Sequence, residues 1–195
     1  MMKFTFASKS FGTQTILAPL TLKLEKGTVT ALMGPSGSGK TTLLKMIAGL
    51  DQDDARTPKN PLKIGMMFQE PRLLPWKTVQ ENIELAGPVR DLLQALDLDD
   101  AGDLYPRQLS FGMAKRVAFA RAMASQPELL LLDEPFTSLD DARVDLMRTM
   151  ISEAKNRLNI PVLITTHDRA DAEAIQADIY ALEGRPAKIR KLIDA

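Results

Sequence analysis

The stretch GPSGSGKT, Gly34 to Thr41, has the spacing G-x-x-x-x-G-K-T, directly after an apolar run and before a helical pattern. Gly34, Pro35, Ser36, Gly37, Ser38 and Gly39 form a loop whose backbone N–H groups can wrap phosphate oxygens. Lys40 then reaches the β and γ phosphates of a nucleotide, and the Thr41 hydroxyl is a ligand for Mg²⁺. Thr42 continues the same helix start. A second constellation is LLLLDEP, Leu129 to Pro135, an all-leucine run ending in two carboxylates. Adjacent acids are poor packing choices at the end of a buried strand. Their chemistry is one carboxylate, Asp133, for a metal shell and one, Glu134, to position or polarise an attacking water. The single histidine, His167, directly follows VLITT, where a strand ends. A lone histidine is by default a packed structural residue, but open α/β sheets gather ligands at the carboxyl ends of their strands, which favours contact with a terminal phosphate. Gln69, after KIGMMF, falls on the same edge as a ligand for Mg²⁺ or water. In RQLSFGMAKRVAFARAMA, residues 107–124, Ser110 reads as the N-cap of a helix and thus as a second anion-binding helix start.

These residues need strands to carry them. TVTALM (28–33), KIGMMF (63–68), LLLLD (129–133) and PVLITT (161–166) are nearly continuous in apolar residues, as strands covered on both faces are. Helical patterns intervene at 40–50, 112–124 and 141–158, the last with Val144, Met147, Ile151, Ala154 and Leu158 at helical spacing. Alternation of this kind predicts a mainly parallel sheet with helices on both faces. Residues 76–110 have helical patterning and no convincing strand, so they read as a helical insert. KFTFAS and LTLKLEKG predict a small antiparallel β element within the first 27 residues, and DQDDARTPKNP (Asp51 to Pro61) an exposed connection.

Composition narrows the function classes. Lys plus Arg and Asp plus Glu number 25 each, so global charge argues for neither nucleic acid nor an anionic lipid surface. With no cysteine and one histidine, disulfides, thiol catalysis and a protein-built zinc site are excluded. No apolar run has the length of a signal peptide or a membrane span, so the expectation is a soluble, cytoplasmic chain whose membrane link comes through a partner.

Taken in order, the phosphate loop, Gln69, LSFGM (109–113), LLLLDEP, SLD (138–140) and His167 make nearly the whole chain resemble the nucleotide-binding subunit of ABC transporters. FQEPRLLPWKTVQEN (68–82), LSFGM and ALEGRPAKI (181–189) are most similar to the branch serving nitrate, sulfonate and taurine importers. The resemblance implies a single domain over 1–195 of α/β class. It is a P-loop NTPase core with a mainly parallel sheet, a small N-terminal antiparallel β element and a reduced helical subdomain inserted at about 76–110. It implies ATP and Mg²⁺ as cofactors. Glu134 becomes the catalytic base, His167 the γ-phosphate sensor, and Thr41, Gln69 and Asp133 the metal-associated residues, with Gln69 also serving catalysis. Phe11, before Gly12, becomes the adenine-stacking residue. Ser110 and Gly112 would meet the nucleotide held by a second copy, with Asp140 near the dimer seam, where it also reads as an N-cap. The implied partners are that second copy, integral membrane permease subunits and an extracytoplasmic solute-binding protein, with no nucleic acid. The implied location is peripheral, on the cytoplasmic side of the inner membrane. EPRLLPW, an apolar loop after Gln69, is the expected permease contact; the alternative is a loop tucked onto its own helical insert.

Two features depart from the family pattern. The stretches at about Asp51–Pro61 and Glu84–Asp103 are short, so both subdomains are expected to be reduced. Phe111 stands where the family typically has glycine. If that position requires a positive φ, the phenylalanine stores roughly 1–2 kcal/mol. Ser110 and Gly112 remain as donors, and the loss of one transition-state donor costs about 10²–10³ in rate, which would slow turnover. Two alternative functions follow: a module that dimerises with ATP but turns over poorly, and a soluble ABC-type ATPase outside transport. The second class usually carries long coiled-coil inserts or a second cassette, and this chain has neither.

Overall fold

The computed structural model describes residues 1–51, 62–89 and 91–192, so the connection expected at Asp51–Pro61 lies, beyond Asp51, outside the described residues. The N-terminal part runs β1 (Met2–Phe6), β2 (Lys9–Phe11), β3 (Gln14–Leu17), β4 (Leu20–Leu24), β5 (Val29–Met33) and α1 (Lys40–Ile47). There follow β6 (Ile64–Met67), α2 (Val79–Glu84), α3 (Leu92–Ala95), α4 (Phe111–Ala124), β7 (Leu129–Asp133) and α5 (Asp141–Leu158). The chain closes with β8 (Val162–Thr166), α6 (Arg169–Ala174), β9 (Asp178–Gly184) and β10 (Ala187–Lys191).

The four apolar runs become β5, β6, β7 and β8, and all pair in parallel within an eight-stranded sheet ordered β2-β3-β10-β9-β5-β8-β7-β6. Their continuous hydrophobicity reflects two cores, one on each face, because successive strand side chains point to opposite sides. Leu130 and Leu132 of β7, with Val162 and Ile164 of β8, enter the core shared with α2, α4 and α5. Leu129, Leu131 and Leu163 enter the other, built from Leu43, Leu44 and Ile47 of α1 and Leu20, Leu22 and Leu24 of β4. The residues at the ends of β7 and β8 are therefore anchored by burial on both sides.

The N-terminal element is antiparallel as expected in its β1–β4 pair, but β2 and β3 do not stand apart with it. They form a hairpin across Gly12 and extend the main sheet through Ala187 of β10 and Leu17 of β3. The strands β9 and β10 and the short helix α6 are additions to the sequence reading. β9 pairs parallel to β5 and backs the phosphate loop.

In the 76–110 region the described residues hold no strand. Helix α2 is fixed by a capping box, in which Glu81 N–H donates to Thr78 Oγ1 (3.2 Å) and Thr78 N–H donates to Glu81 Oε2 (2.8 Å). Helix α3 is a single turn, followed by 3₁₀ turns at Asp99–Ala101 and Pro106–Gln108. Val79, Ile83, Leu96, Leu98 and Ala101 share the α4 core, which joins this reduced helical region to the main body. Among the described residues, no helix is long and apolar enough to cross a membrane.

Candidate functional site

The loop from Gly34 to Gly39 joins β5 to α1, and its glycines are required by close backbone approach. A Cβ on Gly34 would lie 2.7 Å from the Leu182 carbonyl oxygen of β9, and one on Gly39, at φ +99°, would lie 2.8 Å from Leu17 Cδ2 of β3. The loop thus rests on β9 and β3, two strands the sequence does not announce. Helix α1 starts at Gly39 with no side chain capping it, which leaves first-turn N–H groups for an anion. Lys40 is almost fully buried, and its ammonium donates to the carbonyls of Gly34 (2.7 Å) and Pro35 (3.3 Å). Ser38 Oγ is buried with no hydrogen-bond partner, an orphaned polar atom in the middle of the loop. That hydroxyl lies against Gly34, and Gly34, Pro35 and Ser38 line no part of the cleft formed by Lys40, Thr41 and Glu134.

At the end of β7, Asp133 is buried between two hydroxyls. Thr41 Oγ1 donates to its Oδ2 (2.8 Å) and Thr165 Oγ1 donates to its Oδ1 (2.7 Å). Thr165 Oγ1 in turn accepts from Glu134 N–H (2.9 Å), so α1, β7 and β8 meet in one hydrogen-bonded line. Glu134 is held at φ 50°, a left-handed conformation that costs a non-glycine residue on the order of 1–3 kcal/mol. Its Oε2 accepts from Thr137 Oγ1 (3.0 Å) and lies 3.0 Å from His167 Nδ1, while its Oε1 lies 3.6 Å from Lys40 Nζ. Among the described residues no three His, Asp or Glu side chains group as a metal cluster. The donor set of Thr41 and Asp133 suits Mg²⁺, which keeps waters and takes phosphate oxygens rather than an all-protein cage.

A cleft of about 630 Å³ brings together Phe11, Ser36, Gly37, Gly39, Lys40, Thr41, Thr42, Gln69, Glu134 and His167. Phe11 is half exposed at its rim, and the Lys9 ammonium sits 5.0 Å from the ring centroid. An adjoining cavity of about 490 Å³ adds Asp133, Phe111 and Lys115 to Thr41 and Gln69. Ser110, Gly112 and Asp140 line neither. Ser110 caps α4, its Oγ accepting from Met113 N–H (3.2 Å), and Asp140 caps α5, its Oδ1 accepting from Arg143 N–H (3.1 Å) while the carboxylate pairs with the Arg143 guanidinium. The Arg143 side chain covers Gly112, where an added Cβ would meet its Cδ at 2.8 Å.

The strain expected at Phe111 is absent. Phe111 is the first residue of α4 and is not among the positive-φ residues of the described chain, because the turn is made by the extended Ser110 before it. The sequence reading also passes over Lys115, which is fully buried. Its signal was legible: Gly112, Lys115, Phe119 and Ala122 recur at helical spacing, and a lysine on a face of small and apolar residues requires partners.

The family model described as "ABC transporter" matches residues 17–137. The aliphatic sulfonates import ATP-binding protein SsuB 1 of Pseudomonas aeruginosa (strain UCBPP-PA14) is 38% identical, covering 94% of this chain and 82% of its own. The SsuB protein of Granulibacter bethesdensis is 41% identical over 94% of this chain and 81% of its own. Among solved structures, a dimeric ATP-binding cassette in a post-hydrolysis state bound to ADP and Pi superposes with a TM-score of 0.83, at 26% identity and full coverage of both chains. A dimeric bacterial ABC transporter cassette superposes with a TM-score of 0.81 at 27% identity, again over both whole chains.

Proposed function

The chain belongs to the ABC transporter family, and from that premise we propose that it is the ATP-hydrolysing subunit of an importer, driving a separate membrane permease for a small solute of the sulfonate class. The observation that carries the reading is the convergence of Lys40, Thr41, Gln69, Glu134 and His167 on one cleft at the carboxyl ends of the parallel strands. ATP with Mg²⁺ supplies the terminal phosphoanhydride to be broken. The Gly34–Gly39 backbone and Lys40 bind the phosphates. Thr41, Gln69 and Asp133 would hold the metal, with Asp133 also accepting from the Thr41 hydroxyl. Glu134 takes the proton of the attacking water, and Thr137 and His167 hold its carboxylate in place. Phe11 stacks on the adenine.

The second half of the site comes from another copy of this chain, through the helix start at Ser110 and Gly112. That these residues line no part of their own cleft supports the arrangement, as does the dimeric state of the two related cassettes. The reading as a poorly hydrolysing dimerisation module drew on Phe111, and helical backbone at that position removes the strain from its motive.

The permease contact is proposed at the 70–76 loop, which places the protein peripherally at the cytoplasmic face of the membrane. The loop is held from within, since Arg121 donates to the carbonyls of Arg72 and Pro71 (2.9 Å each) and the buried Asn82 bonds Leu74 and Lys77. Its Trp76 nonetheless points outward, 70% exposed, a large apolar side chain on a rigid base. Phosphate release from Mg-ATP by the purified chain tests the enzymatic core of this proposal. Glu134→Gln is expected to lower the rate at least about 100-fold; an unaltered rate would remove Glu134 from the chemistry.

A further inference from the structure

We propose that Lys115 of α4 is a positioning residue for hydrolysis, clamping the backbone of the loop that carries Glu134 and tying it to the helix whose start faces a second copy. Its ammonium has three N–H groups, and three carbonyls converge on it: those of Glu134 (2.9 Å), Pro135 (3.2 Å) and Thr137 (2.6 Å). The loop begins with Glu134 at φ 50° and ends with Ser138 at φ 63°, both left-handed and neither a glycine. Such a backbone persists only where its surroundings over-determine it. Here the over-determining contact is a cation at the centre of the turn. Without it, buried carbonyls would face one another unpaired.

The choice of lysine is not explained by packing. Lys115 is fully buried, the Phe111 ring covers it with its centroid 5.5 Å from the ammonium, and burial lowers its pKa to about 8 against the pull of Glu134 and Asp133. Glu134 hangs its carboxylate from the residue whose carbonyl Lys115 holds. Ser110, the cap of the same helix, lies little more than one turn away. A shift of α4 on meeting a nucleotide therefore moves the Glu134 backbone directly, without passing through the phosphate loop.

The inference rests on the reading of Glu134 as the base, so Glu134→Gln is measured beside the Lys115 variants in the full chain with Mg-ATP. Lys115→Met is expected to lower kcat about 10- to 100-fold, the scale of a misplaced reacting group. KM for ATP stays within about 2-fold, because ground-state binding is untouched. Lys115→Gln, whose amide keeps two N–H donors, recovers part of the loss and serves equally if Lys115→Met does not fold. Independently of activity, amide hydrogen exchange in the peptide 129–140 quickens about 10-fold in Lys115→Met while the peptide spanning α1 is unchanged. If Glu134→Gln hydrolyses at the wild-type rate, the base assignment falls and the clamp has nothing to position. If Glu134→Gln is inactive while Lys115→Met keeps its kcat, or if exchange at 129–140 does not change, the clamp alone is overturned.

Discussion

Two helices of this protein begin where an anion could be held, and they are prepared for it in opposite ways. Helix α1 starts at Gly39, in left-handed conformation, with no side chain spent on its first turn, and its loop is braced by the buried Lys40. Helix α4 starts at Ser110, whose hydroxyl is already engaged by Met113 N–H, with the half-exposed Phe111 in front and Gly112 roofed by Arg143. The first start is open to an anion within one chain. The second is satisfied on its own terms and stands outside its own cleft. On the proposed function, preorganisation and incompleteness divide the work: the first start would hold ATP, and the second would meet the nucleotide of another copy.

Loss of Lys40 should strike this contrast hardest. Lys40→Ala is expected to weaken binding of a fluorescent ATP analogue to the monomer at least about 100-fold, close to 3 kcal/mol, since a charge-assisted phosphate contact disappears. An affinity within a few-fold of wild type would contradict the role given to α1. Changing the other start should leave monomer affinity alone. Ser110→Asp keeps a good N-cap, so the urea midpoint should hold, while a carboxylate set against the other copy's phosphate lowers steady-state hydrolysis by about 100-fold. Equal damage to monomer affinity would erase the distinction between the two starts.

Deeper in α4, the charge on Lys115 adds a pH signature. Burial pulls its pKa from 10.5 to about 8, so keeping the clamping ammonium charged in the fold costs stability below pH 8, a cost that fades as pH rises from 8 to 10.5. The unfolding free energy of wild type, measured against Lys115→Met in urea, should therefore rise by about 1 kcal/mol between pH 7 and 9. A flat difference would mean that the lysine carries no such shift. The smallest effect belongs to Phe111→Gly. Because Phe111 has helical backbone, glycine should relieve no strain and should cost about 0.5–1 kcal/mol of stability, with hydrolysis within about 2-fold. A gain in stability would restore the strain that the phenylalanine was expected to carry.

What could be read from the chain follows the same division. The parallel strands are visible because both faces are buried, as the alternation of Leu129 to Leu132 between two cores makes plain. Asp133, Glu134 and His167 are legible because each sits at or just beyond a strand end, and Lys40 and Thr41 because the glycine-rich loop spacing ends on them. β9 and β10 escape notice because DIYALEG mixes polar and apolar residues, and β2 and β3 are too short to display a period, although β9 and β3 support the phosphate loop. Lys115 stands out on its small, apolar helical face, but what it binds is not legible, because its partners are backbone carbonyls, which have no sequence signature. Phe111 was misjudged because the turn it was expected to make is made by Ser110.

The central claim is that each hydrolytic site takes its phosphate loop from one copy and its α4 start from another. Mixing two separately inactive variants, Lys40→Ala and Ser110→Asp, tests it directly by phosphate release. In a mixed dimer one site carries both lesions and the other carries none, so an equimolar mixture should regain about a quarter of the wild-type rate. If each chain instead completes its own site, every site in the mixture bears a lesion, and the mixture will remain as inactive as its parts.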